Sequence, residues 1–316
     1  MTRIVPLVTI LPLIAEIDVV GEVECGFVAF SQGKVTVPPV GELLFPRNKG
    51  EMHIKYGAIE GDDVFVIKIA TGFFDNPSLG LPPFGGCMLV LSQKTGMVEA
   101  VLLEEGELTN HRTAAAGAVA AKALAPSSVE RIGIIGTGVQ ARLQADYLTR
   151  VLPCRRLDLW GRSRANADQA AGDIARLGYD VEVVDDITTL TNRCQVIVTT
   201  TPAHAPLLRA DMIAPGTHIT AMGSDTEEKQ ELTPDLVARA DVCVVDSLDQ
   251  SRERGEVYHA RKAGVITDSA IVELGAVLSG NATGRTSDDQ ITIADLTGVA
   301  AQDIAIAKAV LAKVVS

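Results

Sequence analysis

The chain has 316 residues, 47% of them apolar and 22% charged, enough for one large domain or two of ordinary size. That excludes a disordered, collagenous or disulfide-stapled small protein. The 40 acidic residues against 28 basic ones give a formal charge of −12, which opposes binding to a nucleic-acid backbone or an anionic membrane surface, so an anionic ligand needs a local cluster of cations.

The first residues, MTRIVPLVTILPLIAEIDVV, carry one arginine and an apolar run, but two prolines interrupt it and no small-residue cleavage site follows. A cytoplasmic protein is expected rather than a secreted one. The five cysteines, at 25, 87, 154, 194 and 243, form no C-x-x-C pair and fit reduced thiols in a cytosol. No later segment reaches the roughly 18 uncharged apolar residues of a membrane span.

The first third reads as strands and turns around one helix. Ile17 to Phe30 has helical apolar spacing ended by Gln32-Gly33, and VTVPP (35–39) is extended because of its prolines. VFVIKIA (64–70) and CMLVLS (87–92) are strand-like, the second turning through Lys94-Thr95-Gly96 into MVEAVLL (97–103). Between them 71–86, rich in proline and glycine, reads as a functional or mobile loop. RTAAAGAVAAKALA (112–125) is an alanine-rich helix stopped by Pro126.

From there strands at 131–135, 156–160, 180–184, 195–199, 217–222 and 241–245 alternate with helical or loop stretches. This implies a doubly wound parallel sheet. The segment 292–315 reads as one apolar-rich helix that returns to the first domain. The fold expected is therefore α/β: a Rossmann domain over 113–292 and a smaller α+β substrate and dimerisation domain from 1–112 with 293–316.

Gly136-Thr137-Gly138-Val139-Gln140-Ala141 follows the apolar strand and opens a helix, giving G-x-G-x-x-A in its required context. The first glycine permits the turn, the second lets backbone approach a pyrophosphate, and the anion rests on the helix N-terminus. Gly136, Thr137, Gly138, Val139 and Gln140 are thus expected at NAD(H) or NADP(H). After the next strand, Gly161-Arg162-Ser163-Arg164 replaces the usual ribose-binding acid. Arg162 and Ser163 leave room and charge for a 2′-phosphate, though Arg162 also suits stacking on adenine or facing solvent.

The chain has no evident Ser-His-Asp, H-E-x-x-H or Cys-His machinery, so hydrolytic and zinc catalysis find no support. Cations on the N-terminal segments stand out instead. Lys68 within VFVIKIA is expensive unless it snorkels from an edge strand, is paired, or works. Arg47, His53 and Lys55 lie in FPRNKGEMHIKYG, the last two on one face if 52–56 is a strand. Arg112, placed at a helix start where the dipole disfavours a cation, calls for an anionic partner such as a substrate carboxylate. Asp225, just past a strand in ITAMGSD, lies where open α/β sheets bind ligands, or else caps the next helix.

HRTAAAGAVAAKALAP (111–126), IGIIGTGVQA (132–141), VTTTPAHAP (198–206), HITAMGSDTEEKQEL (218–232), VVDS (244–247) with Gly255-Glu256, and ELGAVLSG (273–280) together resemble the ornithine cyclodeaminase/μ-crystallin family. The resemblance runs over nearly the whole chain. It implies a dimeric Rossmann protein handling amino-acid imines at nicotinamide. Lys68 matches the family's catalytic lysine, Arg112 and Arg47 its carboxylate-binding arginines, and Asp225 the acid of the cyclodeaminases. Thr200, Thr201 and Gly223 fall in its cofactor-binding stretches. GEMHIKYG (50–57) with KIATGFFDNPSLGLPPFGG (68–86) resembles the branch linked with ectoine and β-hydroxyaspartate breakdown, which implies reduction of iminosuccinate to aspartate. A dicarboxylate needs a cation for each end, and Arg47, His53, Lys55 and Arg112 offer more positive groups than a monocarboxylate requires, with His53 and Lys55 at the distal end. Cyclodeamination, reduction of a cyclic ketimine, and dinucleotide binding without turnover are the other activities the family allows.

Overall fold

The computed structural model describes residues 2–315. The chain divides into two compact units, one formed by the chain up to Arg112 and again from Val299, the other by Thr113–Gly298. The first holds two helices early in the chain where the sequence suggests one. Strand β1 (Arg3–Pro6) leads into α1 (Leu7–Ile14), which buries Ile10 and Ile14 despite Pro12 inside it. Helix α2 (Val19–Ser31) is capped by the Asp18 carboxylate, which accepts from the Gly21 amide, and buries Val19, Val20, Val23 and Phe27.

Strands β2 (Val35–Thr36), β3 (Gly41–Phe45), β4 (Gly50–Ile59), β5 (Val64–Phe73), β6 (Phe84–Ser92) and β7 (Val98–Leu103) follow. Among the described residues the sheet has the order β1-β7-β6-β5-β4-β2, with β3 also on β4. Strand β1 joins in parallel and the other pairs are antiparallel. The long loop expected over 71–86 is mostly ladder: Gly72 pairs with Phe84 and Ala70 with Gly86. A Cβ at Gly86 would stand 2.2 Å from the Ile69 carbonyl oxygen, so here glycine serves strand pairing rather than a loop. Only 74–83 leaves the sheet, with a 3₁₀ turn at Asn76–Leu79.

Helix α3 (Glu107–Leu124) begins before Arg112, because the Glu104 carboxylate accepts from the Leu108 amide and starts the helix there. Arg112 therefore lies well inside α3, and its need for an anion comes from burial rather than from the helix dipole.

In the second unit β8 (Ile132–Ile135), α4 (Val139–Leu148), β9 (Arg156–Trp160), α5 (Arg164–Ala175), β10 (Asp180–Val183), α6 (Ile187–Thr191) and β11 (Val196–Thr199) come first. They are followed by β12 (His218–Ala221), α7 (Pro234–Arg239), β13 (Val242–Val245), α8 (Glu256–Lys262), β14 (Ile271–Glu273), α9 (Leu274–Leu278) and β15 (Thr292–Asp295). Every strand pair is parallel and the order is β10-β9-β8-β11-β12-β15-β13-β14. The inner strands are buried throughout, which their Val/Ile-rich runs permit.

The segment 292–315 is not one helix. Its first part is β15, inserted between β12 and β13, because a short apolar run is equally at home as a doubly covered strand. After Gly298, at φ 85, the chain re-enters the first unit as α10 (Ala300–Val315), which packs on α2, β4 and β5. The approach to α2 is close: a Cβ at Gly26 would lie 3.0 Å from the Ala301 carbonyl oxygen. No helix among the described residues is long and apolar enough to cross a membrane.

Candidate functional site

In the first unit, Val64, Val66 and Lys68 occupy alternate positions of β5 and share its buried face. Lys68 continues an apolar row, and β5 lies between β4 and β6, so it cannot snorkel from an edge. Its side chain is 2% exposed. The ammonium is 2.9 Å from Asp303 Oδ1 in a well-aligned hydrogen bond and 2.8 Å from Oδ2 as a plain ion-pair contact. Arg112 is also buried: its Nε donates to the same Oδ1 at 2.9 Å and its Nη1 to Gln302 Oε1 at 2.8 Å. No hydrogen bond engages Nη2 among the described residues. One carboxylate from the first turn of α10, a favourable place for an anion, thus anchors both cations.

Burial lowers the pKa of Lys68 to about 7, aided by the positive charges of Arg112 and Lys55 and opposed by Asp303. Burial would raise the Asp303 pKa, yet Lys68 and Arg112 hold it below the ordinary value. Glu104, buried nearby, is pushed up by desolvation. The cluster therefore offers a proton that is exchangeable near neutrality beside a fixed guanidinium edge.

Lys55 stands directly across the ladder from Lys68 and so on the same face. His53 shares that face, but its ring lies 3.7 Å from Glu42 and 3.8 Å from Glu51, so carboxylates already face it. Arg47 sits exposed in a 3₁₀ turn at Pro46–Asn48.

In the second unit, the strand order reverses between β8 and β11, the place where open α/β sheets bind ligands. Gly136 there has φ 132, and a Cβ on it would sit 2.3 Å from Thr200 Oγ1. Gly138 caps α4 with extended backbone and no side-chain hydrogen bond, and nothing lies within 4 Å of where its Cβ would be. A helix N-terminus opened by a glycine with room beside it fits a pyrophosphate. Val139 opens α4 and is exposed, while Gln140 lies in its first turn. Arg142 braces the loop by donating to the carbonyls of Thr137 at 2.6 Å and Gly138 at 3.1 Å.

Gly161 packs closely on Thr137, since a Cβ there would meet Thr137 Cγ2 at 2.4 Å. Arg164 is held by Asp168 at 2.8 Å and Asp185 at 3.0 Å, and Ser163 caps α5 by accepting from the Asn166 amide. Arg162 is exposed, with no ion pair among the described residues. Asp225, beyond β12, is exposed and ion-paired to Lys229 at 2.6 Å.

Sequence reasoning passes over the acids that organise both regions. Asp303 sits in GVAAQDIAIAKAV, in the first turn of an apolar-rich helix, where an acid suits the helix dipole and gives no local sign of the cations it holds. Glu231 accepts from Thr199 Oγ1 at 2.6 Å, Thr201 N at 2.6 Å, Thr201 Oγ1 at 2.7 Å and Gly223 N at 2.8 Å. It ties together the loops after β11 and β12 that carry Thr200, Thr201 and Gly223. Glu256 in turn accepts from the amides of Glu231 and Leu232.

Known proteins match this chain along its length. A family model described as the ornithine cyclodeaminase/mu-crystallin family covers residues 5–316. An uncharacterized cyclodeaminase of Sinorhizobium fredii is 46% identical over 301 residues, spanning 94% of this chain and 90% of its own. The iminosuccinate reductase of Paracoccus denitrificans is 41% identical over 294 residues, 92% of this chain and 89% of its own. An archaeal alanine dehydrogenase dimer with bound NAD superposes with TM-score 0.92 at 33% identity, covering 99% of this chain and 96% of its own. The chain is accordingly an NAD(P)-dependent oxidoreductase of the C=N/CH–NH2 type, with nicotinamide dinucleotide as its cofactor. Glycine loop, parallel sheet and full-length match agree, and the chain belongs to the ornithine cyclodeaminase/mu-crystallin family.

Proposed function

We propose that this protein reduces the imine of a small dicarboxylate, iminosuccinate to aspartate, at the expense of NADH or NADPH. The observation that carries the reading is the buried Lys68–Asp303–Arg112 cluster, a proton donor poised near pH 7 beside a guanidinium with a free edge. The reduced nicotinamide supplies the hydride that adds to the imino carbon. Lys68 as ammonium donates its proton to the imine nitrogen, which becomes the product amine, and is reprotonated from solvent. Arg112 takes the carboxylate next to the imine through Nη2 and fixes its orientation.

Arg47 joins Arg112 on that carboxylate, and Lys55 serves the distal one. His53, already facing two carboxylates, contributes less than the sequence implies. Asp225 acts as proton relay, its charge held by Lys229. The Paracoccus relative supports the substrate. Arg162 supports use of the 2′-phosphate of NADPH.

The working form is a cytoplasmic homodimer, a reading supported by the dimeric archaeal relative and by the exposed Leu43, Leu44, Phe74, Leu79, Leu81 and Phe84. The unit carrying β1–β7 and α10 holds substrate, and the parallel-sheet unit holds cofactor.

Purified protein is to be given iminosuccinate generated in situ, with NADH and NADPH tested separately by loss of reduced-nicotinamide absorbance. Oxidation coupled to aspartate formation is expected. No oxidation with iminosuccinate, together with turnover of a cyclic ketimine or ammonia release from ornithine, would replace the proposed substrate.

A further inference from the structure

We infer that Asp303 is a positioning residue for this chemistry, one carboxylate that both keeps the proton on Lys68 and aims Arg112 at the substrate. The inference deepens the reading of Lys68 as proton donor and rests on that reading for its kinetic consequence. It stands on geometry. Lys68 Nζ and Arg112 Nε share Oδ1 at 2.9 Å each, from residues on a central strand and on α3, while the acceptor comes from the first turn of α10.

The neighbouring Gln302 extends the grip by accepting from Arg112 Nη1 at 2.8 Å. Two of the three guanidinium nitrogens are thereby fixed, and Nη2 makes no hydrogen bond among the described residues. Asp303 Oδ2 lies 2.8 Å from the same ammonium as an ion-pair contact, and Gln302 Nε2 is buried with no hydrogen-bond partner among the described residues.

Charge decides what the anchor does. Lys68 faces Lys55 across the β4–β5 ladder and Arg112 from α3, both of which expel its proton, as burial does. Glu104 and Asp303 are the acids that face the cluster, and Glu104 is pushed toward its neutral form by burial. Asp303 is thus the principal anion keeping Lys68 protonated when substrate is absent. Because the two cations share one oxygen, a substrate carboxylate drawn to Arg112 adds negative charge where Lys68 must stay protonated. Binding the correct anion and arming the acid are one event.

The test tracks Lys68 itself as well as the rate. With lysine labelled at 13Cε, and the Lys68 resonance assigned by its loss in Lys68→Arg, the titration midpoint in Asp303→Asn is expected about one to three pH units below that of the unaltered protein, the shift an adjacent opposite charge produces. In kinetics with the best imine substrate, the alkaline fall of kcat/KM moves to lower pH by the same interval, and Asp303→Glu restores part of it.

An unmoved Lys68 midpoint, or a loss of rate equal at every pH, would assign Asp303 a merely structural role and overturn the inference. If Asp303→Asn does not fold, the 13C carboxyl signal of Asp303 in the unaltered protein must still respond as Lys68 titrates. A flat signal across the range in which Lys68 titrates would overturn it as well. Since the resonance measurements need no substrate, they can fail while imine reduction holds, and can succeed if another substrate is found.

Discussion

The two units solve the burial of charge in opposite ways. In the first, the cations Lys68 and Arg112 converge on Asp303, so a net positive centre is kept ionised inside a sheet-and-helix core. In the second, Glu231, Asp246, Glu256 and Asp295 are all buried and are held by backbone amides and hydroxyls. Burial dominates the upward shifts of Glu231, Glu256 and Asp295, and Glu256 and Asp295 also feel neighbouring acids. A buried ion pair keeps charge available for chemistry. A run of carboxyls that are neutral or satisfied by amides fixes loops instead, at little electrostatic cost so long as the pH permits.

This contrast can be broken at either end. The largest effect is expected from Lys68→Ala, which should lower kcat about a thousandfold, the scale of a lost general acid, without weakening dinucleotide binding measured by fluorescence titration. Near-normal turnover would remove Lys68 from the chemistry.

Next comes Asp295. Its pKa is raised from 3.8 to about 7, so its contribution to stability is complete below its unfolded value and is lost as pH climbs through 7. The unaltered protein should lose about 2–3 kcal/mol from this group between about pH 5 and pH 8 in urea unfolding, and Asp295→Asn should lose correspondingly less. Equal losses in both would show that Asp295 does not titrate in this range.

Glu231→Ala frees the amides of Thr201 and Gly223. An expected cost of about 1–3 kcal/mol would raise the KM for cofactor roughly 10- to 100-fold while leaving the pH profile set by Lys68 in place. A change confined to the pH profile would contradict the division of labour between the units. The smallest effect is expected at Arg162, where Arg162→Ala should lower the NADPH:NADH ratio of kcat/KM about tenfold, the scale of one charge-assisted contact. An unchanged ratio would leave Arg162 to solvent or adenine.

Much of this is legible in the chain. The parallel unit declares itself through β8, β9, β11, β12 and β13, whose apolar runs alternate with helices and carry the glycine loop at the first turn. Lys68 is legible because an ammonium in VFVIKIA is costly, whereas Arg112 draws notice through a helix start that lies in fact at Glu107. Their partner is not, since Asp303 is 235 residues from Lys68 in sequence and an acid in a first helical turn needs no tertiary explanation.

Asp225 draws notice by lying just past a strand, yet it is exposed beside Lys229. Glu231, a little further along the same charged string, is fully buried, and no local pattern separates the two. Strand β15 reads as helix in the sequence because TIAD alone has no period long enough to distinguish the states.

The origin of Asp303 also orders events during synthesis. Lys68 and Arg112 leave the ribosome well before the carboxylate that compensates them, and the entire parallel-sheet unit is made in between. Until α10 docks, enclosing those cations is unfavourable, so the strands of the first unit must wait in a form that keeps them hydrated. The Lys68–Arg112 pair is therefore among the last parts of the first unit to be sealed, and a nascent chain that has not reached α10 lacks the carboxylate that holds both cations.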